Sequence, residues 1–128
     1  MTSEVIETRS QRIWMGEDGI MRFVALPVPE HTLDDAKENL EAAVKINKDK
    51  KVPGLIDIRE AKSVSREARM YYTGDENAKV LDAAAMLVDS PVSRIIGNFF
   101  IGLNKAPFPC KLFSSESAAI EWLREFIK

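Results

Sequence analysis

Cysteine and histidine are almost missing from this chain. It carries one of each, Cys110 and His31. One cysteine makes no internal disulfide, which excludes the stapled scaffold of a small secreted domain. One histidine builds no multi-histidine metal site, and nothing local pairs His31 with Cys110 for thiol chemistry. Cys110 lies among Phe108, Pro109, Leu112 and Phe113, the setting of a buried structural thiol. The chain also lacks a Gly-rich phosphate loop and a G-x-S-x-G elbow. No metal, no cofactor and no enzymatic activity are therefore expected. There is no basic block either. The formal net charge is -2 with both signs interspersed, and Lys48, Lys50 and Lys51 are interrupted by Asp49, as at the end of a helix. Nucleic acid is not an expected partner. No apolar run approaches the length of a membrane span, and residues 1–9 are too polar for a signal peptide. A cytoplasmic location without membrane insertion follows by elimination.

What is present suits one domain over residues 1–128, with residues 1–10 as a flexible or edge segment. Residues 12–15 and 20–26 flank Asp18-Gly19, a hairpin signal. Pro27 and Pro29 end the second run. Thr32 and Asp35 form a capping box for a helix with Leu33, Ala36, Leu40, Ala43 and Val44 on one face. Residues 52–58 read as a strand buried on both sides. Ser63 or Ser65 caps a second helix carrying Ala68, Tyr71, Tyr72 and Ala78, which Gly74 threatens to split. Residues 83–88 read as a fourth strand. Ser90-Pro91 opens a third helix, residues 108–113 form a fifth strand, and Ser114 or Ser115 caps a last helix with Ala119, Trp122, Leu123 and Phe126 on one face. The expected fold class is α/β, a mixed and mostly parallel five-stranded sheet with four helices in the order ββαβαβαβα.

Three groups of residues are candidates for function. Asp57, Arg59 and Glu60 fall at the carboxyl end of a parallel strand, where ligands of open α/β sheets bind. The plainer reading is that Asp57 caps local amides while Arg59 and Glu60 are solvated. In the third helix Val92, Ile95, Ile96, Phe99 and Leu103 share one arc at 100° per residue. Phe100 then falls on its shoulder and Ile101 nearly opposite, where a partner, a second copy, an apolar ligand or a neighbouring helix must cover them. Tyr71, Tyr72 and Phe99, with Phe100, are candidates to line an apolar pocket.

The element order resembles the STAS fold of anti-sigma-factor antagonists, and more closely the SpoIIAA-like, or STAS/SEC14-like, group of small bacterial proteins. Gly54-Leu55-Ile56-Asp57-Ile58 matches the central strand of that group. The stretch from Lys111 to Leu123 matches its close: phenylalanine, a short polar turn, an acid, alanine, then Trp122-Leu123. In the antagonists a serine within an Asp-Ser-Ser-Gly-like motif, at the start of the second helix, is phosphorylated to switch partner binding. The corresponding stretch here is Ser63-Val64-Ser65-Arg66-Glu67-Ala68, and the family's serine position falls near Arg66. Ser63 and Ser65 are thus candidate phosphoacceptors outside the motif, with a plain N-cap as the other role of Ser65. The resemblance implies a non-enzymatic interaction or regulatory domain that binds a protein partner or pairs as a homodimer. Relatives bearing the SEC14 label bind lipids, so the alternative is a small-molecule or lipid-binding module with an apolar pocket.

Overall fold

The computed structural model describes residues 4–48, 50–102 and 107–127. Among the described residues six strands run β1 (Val5–Glu7), β2 (Gln11–Met15), β3 (Met21–Ala25), β4 (Val52–Asp57), β5 (Leu81–Leu87) and β6 (Cys110–Phe113). They lie side by side in chain order in one sheet. The pairs β1–β2 and β2–β3 are antiparallel, and β3 to β6 are parallel. Four helices connect or follow them: α1 (Leu33–Asn47), α2 (Arg66–Tyr72), α3 (Pro91–Gly102) and α4 (Glu116–Leu123).

The sheet has one strand more than the five expected. Val5–Glu7 pairs with β2 as an edge strand. Three residues with alternating exposure carry too little apolar signal to read as a strand; only Ile6 packs against the core. The other boundaries follow local chemistry. Gly19 takes φ +85° in the β2–β3 turn, and Asp18 Oδ1 accepts from Ile20 N at 3.1 Å. The Thr32 capping box forms in full, and Lys48 closes α1 in the left-handed conformation. Asp49 lies outside the described residues. α2 stops at Tyr72; after Gly74 a 3-10 turn, Asn77–Lys79, takes the place of further helix.

Strand β5 is buried along nearly its whole length. Its alternate residues divide between two cores, as a pleat demands. Ala83, Ala85 and Leu87 pack with Ala119 and Leu123 of α4. Ala84 packs on the opposite side with Ala42 and Ala43 of α1, and Met86 with Ile96 and Phe100 of α3. Helices α1 to α3 therefore cover one face and α4 the other. The run Ala83-Ala84-Ala85 lets helices approach from both sides. Gly97 does the same within α3: a Cβ there would stand 2.5 Å from Leu112 Cδ2 and 3.3 Å from Val88 Cγ1.

Candidate functional site

The parallel strands all point to one edge, where α1 to α4 begin. At that edge Asp57 and Arg59 come together. Arg59 donates from Nε and its own backbone N to Asp57 Oδ1, each at 3.0 Å, and from Nη2 to Oδ2 at 2.7 Å. Glu116, at the start of α4, stands 3.9 Å from the same guanidinium. The hydrogen bond to Asp57, ahead of all other causes, raises the Arg59 pKa. This pair is self-satisfied, and Asp57 does cap a local amide. Glu60 is exposed in the following turn. Ser63 and Ser65 lie further along the loop. Ser63 accepts from His31 N at 2.8 Å through its carbonyl, and Ser65 N donates to His31 O at 2.9 Å. The Ser65 hydroxyl accepts from Ala68 N at 3.1 Å, as an N-cap does.

On α3 the inward face differs from the expected one. Ser93, Ile96, Gly97 and Phe100 are buried, spaced i, i+3, i+4, i+7. The helix is turned by about one residue, roughly 100°. Phe100, placed on the shoulder of the expected face, is only 7% exposed and packs its ring 6.1 Å from that of Tyr72. Val92 and Ile95, expected inside, are 49% and 58% exposed, and Ile101 is 37% exposed. Leu103 lies outside the described residues. The cause is size and polarity. Gly97 can lie flat on β6, and the Ser93 hydroxyl is fully used, accepting from Asp89 N and Ser90 N at 3.0 Å. A reading that counts only large apolar residues passes over both.

The pocket residues separate. Tyr72 lines a cavity of about 70 Å³ between the helix layer and the sheet, with Phe100 but without Tyr71 or Phe99. Phe99 instead carries the Arg69 guanidinium 4.3 Å above its ring. Tyr71 borders a shallow groove beside Lys37, Val44 and Lys45 of α1, and burial raises its pKa. The Tyr72 hydroxyl accepts from Asn39 Nδ2 at 2.8 Å. Asn39 also donates to Ser10 Oγ at 3.0 Å and accepts from Thr8 Oγ1 at 2.6 Å.

Gln11, His31 and Asn39 line the same cavity, and sequence reasoning did not single out Gln11 or Asn39. Asn39 had a readable signal, a polar residue at core spacing between Ala36 and Ala43. His31 is buried, and that burial lowers its pKa; its Nε2 lies 3.2 Å from Leu26 O, so this nitrogen carries the proton. Cys110 also lines the cavity, and burial pushes its thiol up to about 11. Among the described residues no three His, Cys, Asp or Glu side chains gather as a metal would need, and no helix is long and apolar enough to cross a membrane.

A family model described as "Domain of unknown function (DUF7793)" matches residues 13–127. No curated protein matches the chain. Among solved structures, an uncharacterized protein of the DUF3478 family with a SpoIIAA-like fold, from Shewanella loihica PV-4, is 20% identical. The match covers 95% of this chain and 92% of that one, with a TM-score of 0.54. A protein with unknown function from Arthrobacter sp. FB24 is 32% identical over 87% of this chain and 96% of its own, with a TM-score of 0.36. The Shewanella structure bears out the SpoIIAA-like resemblance at the level of the fold.

Proposed function

We propose that this chain, which belongs to the DUF7793 family of domains of unknown function, is a non-enzymatic interaction domain that pairs with a second copy through the outer flank of α3. One observation carries the reading: Val92 and Ile95 stand one turn apart on a helix flank facing solvent. A helix laid on a sheet is expected to be polar there. Half-buried Phe99 extends the stripe by one further turn, and Ile101 supplies a second exposed apolar group on the same helix. Burying such side chains is worth about 1.5–3 kcal/mol each, and isologous pairing hides the patch on both copies at once. A bacterial, cytoplasmic setting is part of this reading, and the lone Cys110 accords with it.

The test is multi-angle light scattering of the wild type beside a Val92→Glu/Ile95→Lys variant at matched concentration. The expected result is a dimer that the double variant converts to a monomer with unchanged circular dichroism. A wild type that stays monomeric at high concentration overturns the reading.

A further inference from the structure

We propose that the cavity enclosed by α1, α2, α3 and the sheet is a binding site for a small neutral molecule that donates a hydrogen bond to Gln11 Oε1. Gln11 is only 6% exposed, and among the described residues that oxygen has no hydrogen-bond partner. Gln11 lies on β2 on the same side as Ile13 and Met15, and it lines the cavity together with Phe23, Ile56 and Met86. A buried acceptor left unpaired is costly, and an apolar side chain of similar shape would fill this place without that cost. The orphan oxygen thus marks where a donor belongs.

The walls also set the charge of the guest. No carboxylate, ammonium or guanidinium lines the cavity among the described residues. Its titratable members are His31, Tyr72 and Cys110, and burial holds each of them toward its neutral form near pH 7. An ion would enter without a counter-charge, which is prohibitive. Tyr72 is fixed by the bond it accepts from Asn39. Among the described residues no acceptor takes the phenolic proton, a second polar handle for a guest that also accepts.

Volume sets the size. About 70 Å³ is near half of the ~150 Å³ engineered cavity that takes benzene, so the guest has roughly three to four heavy atoms. A short alcohol or a small primary amide fits this description. Water donates too, so the experiment must separate an organic guest from ordered water. The site is independent of the α3 pairing, since Val92 and Ile95 do not line it.

The full chain, labelled with ¹³C at alanine and methionine methyls, is titrated with 2-propanol and separately with acetone. Both have four heavy atoms, but only the alcohol donates. The expected result is saturable shifts at Ala84 and Met86, which line the cavity, with the alcohol half-saturating at about tenfold lower concentration. Gln11→Leu should bring the alcohol to the level of acetone, and Ala84→Leu should abolish saturation for both. Shifts that grow linearly at every methyl mean the cavity holds water only, and overturn the proposal. A Gln11→Leu protein that still prefers the alcohol tenfold also overturns it. This second readout decides the matter if Ala84→Leu fails to fold by circular dichroism.

Discussion

Asp35 shows how one residue joins three parts of the chain. Its carboxylate receives Arg9 Nε at 2.9 Å and Nη2 at 2.7 Å, and the Thr32 amide at 2.8 Å. It therefore ties the segment after β1 to the start of α1. The Arg9 hydrogen bonds, above all, bring the Asp35 pKa from 3.8 down to about 2. A depressed folded-state value contributes stability above the unfolded value, and that contribution is lost as pH falls from about 4 toward 2. His31 acts higher on the scale. Its buried ring has a pKa below 6.5, so the unfolded chain takes up its proton first and stability declines as pH falls below about 6.5. Urea denaturation from pH 7 to pH 2 should thus show two acid-side losses. Asp35→Asn should flatten the lower one and, by removing a charge that favours the His31 cation, leave the upper one at least as large. A curve for Asp35→Asn parallel to wild type below pH 4 would show that the Arg9 bridge contributes nothing.

Helix α3 carries the main lesson at the element scale. Its start was legible: Ser90 Oγ accepts from Ser93 N at 3.1 Å, just ahead of a proline preset for the first turn. Its rotation was not. Periodicity ranks side chains by hydrophobicity, but contact with β6 ranks them by fit, and glycine and serine win where backbones come close. Gly97→Ala is expected to destabilise by about 1–3 kcal/mol through overpacking against Leu112 and Val88. It should lower the urea midpoint with an unchanged slope. A midpoint equal to wild type would mean that Leu112 swings aside at no cost. Strand β1 was illegible for a different reason, since an edge strand of three residues is stabilised by pairing with β2 rather than by its own pattern.

For the whole molecule, the proposed pairing through α3 would make stability a function of concentration. A folded dimer draws the equilibrium from the unfolded chain by mass action. The thermal midpoint of the wild type should therefore rise with protein concentration over a hundredfold range, and that of Val92→Glu/Ile95→Lys should stay level. A level midpoint in both would argue against a dimer that forms before unfolding. The cavity lies on the other side of α3, behind Phe100, so the two proposals meet on one helix without sharing a side chain.

The sequence by itself determined what depends on neighbours in the chain. The Asp18-Gly19 turn, the Thr32–Asp35 box, the Ser65 cap, the split after Tyr72 and the two-sided burial of β4 rest on local backbone chemistry and short-range pattern. The amide cap by Asp57 was legible for the same reason, whereas Arg59, read as solvated, is held by the Asp57 carboxylate. Only the tertiary structure decided which flank of α3 meets solvent and which residues share the cavity. Gln11, Asn39 and Tyr72 come from β2, α1 and α2, and Asn39 and Tyr72 are 33 positions apart. They meet because α1 and α2 lie on the same face of the sheet as the Gln11 side chain. That convergence is set by how whole elements pack, and no window along the chain contains it.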